Sequence, residues 1–274
     1  MEVVFRKYQG LGNDFLVVDD PALIPALGPS EVRRLCDRHL GVGGDGVLLC
    51  GVREGRPFMR VVNADGTTPQ MCGNGVRCVA LHLFERGDVG EAPFELDTDA
   101  GPHRVAVHAP GPLGDVEVWM RAPSLAPSDL PLASDAPWRD APIEVLGHAL
   151  RVTGVSMGNP HAVTFDDVPR DAVGPALELD PRFPERVNVG FASNLRQGGF
   201  DLAVWERGVG FTQACGTGAC AAAVAAVETG RAVRGAPLRV VLPGGPLTIT
   251  VGAPGEPVRM RGPAAFVFSG VAVL

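Results

Sequence analysis

The 274-residue sequence carries 24 basic against 31 acidic side chains, a net charge of −7 that argues against a general binder of nucleic acid or anionic membrane. Hydrophobic residues make up 46% and charged residues 20%, which supplies a sizeable core and argues against disorder. Lys7 is the only lysine, which weighs against a pyridoxal-phosphate Schiff base, and no apolar run reaches the roughly 18 residues of a membrane span. The first ten residues, MEVVFRKYQG, lack the charged-then-apolar pattern of a signal peptide, so a soluble cytoplasmic protein is expected.

In chain order, residues 3–5, 16–18, 47–49 and 105–107 are short β-like runs separated by turns rich in Gly or Pro. A helix-like segment over 31–40 leads into Gly41-Val42-Gly43-Gly44-Asp45-Gly46. That run satisfies G-x-G-x-x-G in the reverse of the strand–turn–helix context a dinucleotide site needs, so it reads as a tight turn. After Cys72, apolar Val76, Val79, Ala80, Leu83 and Phe84 fall at helical spacing and predict an amphipathic helix ending near Gly87. The Pro-rich stretch 123–142 reads as a connection. After Cys215 a helix apolar on every face runs toward Gly230 and must be enclosed.

These features repeat. Gly12-Asn13-Asp14-Phe15 is echoed by Gly158-Asn159-Pro160-His161, and Met120-Arg121-Ala122-Pro123 by Met260-Arg261-Gly262-Pro263. Cys72-Gly73-Asn74-Gly75 follows Asn63 by nine positions, and Cys215-Gly216-Thr217-Gly218 follows Glu206 by the same interval. Ordered matches at a nearly constant offset predict two homologous halves. The expected fold is α+β: two domains, each a curved sheet or barrel around a central helix, related by a pseudo-twofold axis with the active site in the cleft between them. The boundaries are expected at 1–122, completed by a C-terminal strand at 264–274, and at 123–263.

Cys72 and Cys215 each precede a helix whose N-terminus favours a thiolate and whose N–H groups suit a carboxylate. Facing each other, the two thiols would flank one α-carbon, one removing a proton and the other supplying one, which is the chemistry of cofactor-free inversion. Two ordinary helix-entry turns are the plainer reading of either motif alone. Cys36, Cys50, Cys78 and Cys220 read as small buried hydrophobes. The spacings C-x5-C and C-x4-C make a weak zinc pattern, which leaves a non-catalytic zinc or binding module as an alternative.

The segments FRKYQGLGNDF (5–15), HLGVGGDGVLL (39–49), MRVVNADG (59–66), MCGNGVRC (71–78), GNPHAV (158–163), VNVGF (187–191), WERGVGFTQACGTGACAA (205–222) and PGG (243–245) closely resemble the diaminopimelate epimerase family. The resemblance implies interconversion of LL- and meso-2,6-diaminopimelate for lysine and peptidoglycan synthesis, without cofactor or metal, by a homodimer acting on a small molecule. It implies Cys72 and Cys215 as the acid–base pair, with His161 and Glu206 tuning them. Gly73, Asn74, Gly216 and Thr217 would surround the reacting carboxylate. Asn13, Asn63, Asn159, Asn188, Glu206 and Arg207 would hold the far end of the substrate. Read alone, Asn13 and Asn63 could cap turns, His161 could be structural, Arg207 a solvated charge, and Asn188 is selected by the family motif only. Two departures stand out: Phe211 where many members have a second acid, and Gly46 where they often have glutamine. A proline or hydroxyproline epimerase of the same superfamily is the alternative reading.

Overall fold

The computed structural model describes residues 1–68 and 72–274, and Met71 of the first cysteine motif lies outside the described residues. The chain divides into two compact units, one of residues 1–119 and 261–274 and one of residues 120–260. Both crossings fall on the echoed Met-Arg segments, at Met120 and at Met260-Arg261.

The first unit starts with β1 (Glu2–Gly10), β2 (Asn13–Val18), α1 (Pro29–Cys36), β3 (Gly46–Arg53) and β4 (Arg56–Asn63). It continues with α2 (Gly73–Arg86), β5 (Phe94–Thr98), β6 (Gly101–Ala109) and β7 (Leu113–Trp119). The strands are hydrogen-bonded in chain order, and the last strand of the chain, running from Arg259 to Val273, lies between β7 and β1 and closes the ring. Closure leaves no open edge in this sheet. Inside it, Val76, Val79, Ala80 and Leu83 of α2 are fully buried, the two valines and the leucine each stabilising the fold by up to about 1.5–3 kcal/mol of apolar transfer. Gly87 ends the helix in the left-handed conformation, at φ 79°, where its N–H returns to the carbonyls of Leu83 and Phe84.

The second unit repeats the plan with β8 (Ala141–Val145), β9 (His148–Ser156), β10 (Pro160–Thr164), α3 (Arg170–Glu178), β11 (Asn188–Arg196) and β12 (Gly199–Glu206). Then come β13 (Gly210–Phe211), α4 (Gly216–Glu228), β14 (Pro237–Leu242), β15 (Gly245–Thr250) and the start of β16 (Arg259–Val273). The pairing sense from β1 to β6 is antiparallel, parallel, antiparallel, parallel, antiparallel. From β9 through β10, β11, β12 and β14 to β15 the same order recurs. This shared topology is the structural form of the duplication. The apolar α4 is enclosed, with every residue from Gly218 to Ala226 buried.

The Pro-rich segment 123–142 enters the second unit and packs against it. Ser124 pairs with Ser156 of β9, and Leu130 and Leu132 are buried in the core of the second unit. Trp138 meets the Phe183 ring edge-on at 5.6 Å. Its prolines shape an irregular path, but its apolar side chains hold it against the sheet. The G-x-G-x-x-G run joins α1 to β3 as a tight turn, in which a Cβ on Gly41 would stand 2.1 Å from the Arg34 carbonyl oxygen.

Candidate active site

In each unit the polar end of a strand is followed, nine residues later, by a cysteine at the N-cap of the enclosed helix. A thiol thus stands where a hydroxyl or carboxamide commonly caps. In the first unit the half-buried Cys72 Sγ accepts from the Gly75 N–H at 3.4 Å. Glycine permits this approach, because a Cβ on Gly75 would lie 3.3 Å from that sulfur.

Around Cys72 the structure gathers Gly73, Asn74 and Asn13. Asn74 Nδ2 donates to Asn13 Oδ1 at 3.2 Å, and Asn13 Nδ2 donates to Asp45 Oδ2 at 2.6 Å. The buried Arg77 donates through Nη2 to Asn74 Oδ1 at 2.9 Å. Asp45 and Arg77 were not among the sequence-selected residues. Arg77 lies one turn into α2, between the buried Val76 and Cys78. Asn63 instead closes its own turn by donating to Thr67 Oγ1 at 3.1 Å.

In the second unit Cys215 is 5% exposed and its Sγ lies 3.7 Å from Thr217 Oγ1. Asn159 Nδ2 donates to that hydroxyl at 3.3 Å, and Asn159 Oδ1 lies 3.1 Å from His161 Nε2. Gly216, Thr217, Asn159 and His161 are therefore brought together on Cys215. Burial pushes the Cys215 thiol far above its ordinary value and the Glu206 carboxylate adds to this, with partial relief from Thr217, so the resting group is a thiol. Thr212 Oγ1 donates to Glu206 Oε1 at 2.5 Å and holds that carboxylate. Burial also raises Cys36 to about 11 and Cys78 to about 12, which makes them inert packing groups.

Asn188 is buried and bridges backbone groups: its Nδ2 donates to the Pro160 carbonyl at 3.0 Å, and its Oδ1 accepts from the Arg207 N–H at 2.9 Å. Arg207 is exposed, with Nη1 on the Glu185 carbonyl at 2.8 Å. Glu178, unmarked in the sequence, fixes this corner by accepting from Trp205 Nε1 at 2.7 Å and the Gly208 N–H at 2.9 Å. The two departures also have physical readings. Gly46, first in β3, corresponds to Asn188, first in β11, and a Cβ on it would lie 2.6 Å from the Val62 carbonyl oxygen. Phe211 sets its ring edge-on to Trp205 at 5.2 Å, an apolar contact in place of an acid.

Burial, with the Arg207 charge adding to it, drives the His161 pKa down to about 3, so the imidazole is neutral at physiological pH. It can hydrogen-bond, but it carries no charge with which to tune a thiol. The unfolded chain binds this proton near pH 6.5 and the folded chain only near 3. The stability that a neutral His161 contributes is therefore complete above pH 6.5 and falls as pH drops toward 3, with a slope of about 1.4 kcal/mol per pH unit. Urea unfolding at pH 6, 5 and 4 is expected to show this loss in the native protein and a shallower one in His161→Gln. Parallel curves would contradict the assignment.

Among the described residues, no group of three or more His, Cys, Asp or Glu side chains is placed to hold a metal ion, and no helix is long and apolar enough to cross a membrane.

Solved structures with the same fold include a PhzF-family phenazine biosynthesis protein from Bacillus anthracis, at TM-score 0.73 and 16% identity over 100% of this chain and 99% of that one. A predicted epimerase from Pseudomonas aeruginosa matches at TM-score 0.69 and 19% identity, over 98% of each chain. A probable proline racemase from Agrobacterium radiobacter K84 matches at 0.66 and 15%, over 99% of this chain and 92% of that one. The fold is thus that of the two-domain epimerases and their PhzF-like neighbours. The sequence model described as diaminopimelate epimerase matches residues 5–125 and 153–267. Diaminopimelate epimerases of Acaryochloris marina and Desulforudis audaxviator are 42% and 45% identical, the first over 99% of both chains and the second over 97% of this chain and 98% of its own. The chain belongs to the diaminopimelate epimerase family.

Proposed function

We propose that the chain inverts LL-2,6-diaminopimelate to the meso form, in lysine and peptidoglycan synthesis, by proton transfer between Cys72 and Cys215 on opposite faces of one α-carbon. The observation that carries this reading is the duplicated N-cap thiol, one at the start of each enclosed helix. One cysteine, as thiolate, removes the α-hydrogen. The electron pair left on carbon spreads into the carboxylate, and the opposite thiol returns a proton to the other face. One proton is lost and one gained, so no oxidant or cofactor enters the balance.

The growing carboxylate charge is received by the helix N-termini at Gly73, Asn74, Gly216 and Thr217. Arg207 takes the distal carboxylate, and Glu206 with Asn13, Asn63, Asn159 and Asn188 receives the distal ammonium. The raised Cys215 suits the acid role at rest, and the Glu206 carboxylate beside it keeps the proton on sulfur. His161 acts on this thiol by hydrogen bonding through Asn159 and Thr217.

The protein acts in the cytoplasm as a homodimer. Val4, Val271 and Val273 on β1 and β16 form an exposed apolar face that a second copy would cover, with Val4 directly opposite Val271. Light scattering is expected to give the mass of two chains. Incubation with LL-diaminopimelate in deuterium oxide, without added cofactor, is expected to give the meso isomer with deuterium at the inverted carbon. Inversion of L-proline alone would assign the proline-racemase reading instead. About one tightly held zinc per chain in inactive protein would assign the binding-module reading.

A further inference from the structure

We propose that Arg77 and Asp45 are positioning residues that lock the orientation of the Asn74 and Asn13 amides from the two ends of one hydrogen-bond chain. The inference rests on the proposed function for the use of these asparagines. A guanidinium has only donors, so the Asn74 atom that meets Arg77 Nη2 at 2.9 Å is the carbonyl oxygen. A carboxylate only accepts, so the Asn13 atom that meets Asp45 Oδ2 at 2.6 Å is the nitrogen. With both ends assigned, the middle contact has one solution, Asn74 Nδ2 donating to Asn13 Oδ1 at 3.2 Å. Flipping either amide would set nitrogen against guanidinium or oxygen against carboxylate.

The anchors are themselves held. Arg77 is fully buried and donates through Nε to the Pro263 carbonyl at 3.1 Å. Gly10 leaves space for it, since a Cβ there would stand 3.1 Å from Nη2. Asp45 also accepts from the Asp14 N–H at 3.1 Å and from Arg38 Nη2 at 2.8 Å. Asp14 in turn is paired with Lys7 at 2.7 Å and Arg38 at 2.6 Å.

The second unit shows the contrast. Its chain runs from His161 through Asn159 and Thr217 to Cys215, all of them uncharged side chains. In the first unit two fixed charges set the direction. Locked this way, Asn13 offers its carbonyl oxygen, an acceptor suited to an ammonium, and not its amide hydrogens.

Asp45→Asn is the informative change, because the Asp45 side chain is 40% exposed and the replacement keeps its size. Its NH2 must then face either Arg38 Nη2 or Asn13 Nδ2 and the Asp14 N–H, so an acceptor for Asn13 is no longer guaranteed by charge. KM for diaminopimelate is expected to rise about tenfold with kcat within about twofold, the size of one oriented hydrogen bond. On an Asn13→Ala background the same change is expected to add nothing further. Arg77→Lys is expected to recover part of what Arg77→Met loses, and if Arg77→Met does not fold the Asp45 cycle still decides. The side-chain amide NMR signals of Asn74, assigned by their loss in Asn74→Ala, are expected to shift in Asp45→Asn, carried through Asn13. Additive kinetics in the double variant, or unmoved Asn74 signals, would overturn the proposal. If the native protein does not invert diaminopimelate, the proposed function fails, and the NMR comparison alone decides the orientation.

Discussion

Alanine at Cys72 or at Cys215 is expected to lower kcat/KM for diaminopimelate inversion by about 10³-fold or more, the scale of losing a general acid or base. The two variants should fail differently. Whichever thiol remains can still remove a proton from its own face and return one there, so each variant is expected to incorporate solvent deuterium into one isomer with retention. Neither should convert one isomer into the other. Chiral separation with mass spectrometry reads both quantities at once. Cys215 is nearly enclosed and Cys72 half-buried, so loss of fold must be excluded by circular dichroism of each variant. Serine in either place is a harsher test of acidity than of shape, since its hydroxyl holds its proton far more tightly than a thiol. Full turnover in either alanine variant would end the two-base reading. Loss of exchange in both isomers from a single substitution would mean that the cysteines do not act independently.

Much of this was legible because duplication leaves two independent copies of each signal. The nine-residue interval from Asn63 to Cys72 recurs from Glu206 to Cys215, and both intervals run from a strand end to the N-cap of an enclosed helix. Helical periodicity after Cys72 and Gly87 beyond it located α2 closely, because an apolar stripe and a left-handed stop are local properties. The packing of segment 123–142 against the second unit is not legible, for the complementary reason. Proline marks where regular structure ends, but says nothing about whether Leu130 and Leu132 find a core, which depends on strands that follow in the chain.

The polar network was the least legible part. Asp45 lay inside a glycine turn and Arg77 inside a helix, and neither position reveals that both reach the same pair of asparagines through space. His161 was marked as a charge that could tune a thiol. Its complete burial makes it a neutral hydrogen-bonding group, a property of packing that no local pattern carries. Asn188, selected by motif alone, binds two backbone groups at the corner that presents Glu206 and Arg207. Holding that corner is work the side chain does whether or not substrate also reaches it.

The fourth residue of each Cys-Gly-x-Gly turn provides the second large test, because stability and activity should move apart. Gly75 and Gly218 lie in the first turns of α2 and α4, where alanine normally stabilises a helix by about 0.5–1 kcal/mol relative to glycine. Here the added methyl presses on the thiol. A Cβ at 75 would stand 3.3 Å from Cys72 Sγ and 2.9 Å from Leu48 Cδ2. A Cβ at 218 would stand 3.2 Å from Cys215 Sγ and 3.0 Å from Val204 Cγ2. The leucine and valine termini can move aside by small rotations, whereas the sulfur is positioned by the cap geometry. Gly75→Ala and Gly218→Ala are therefore expected to lower kcat about 10- to 100-fold through a sub-ångström displacement of the reacting sulfur. Melting temperature should stay level or rise, because helix propensity offsets the crowding. Scanning calorimetry and steady-state kinetics on the same preparations separate these outcomes. Activity within twofold of native would show that the glycines serve only the turn, and a matched fall in stability and activity would place the cost in packing. If kcat falls while the melting temperature holds, the missing side chain at both positions is the space that lets a thiol stand at a helix N-terminus.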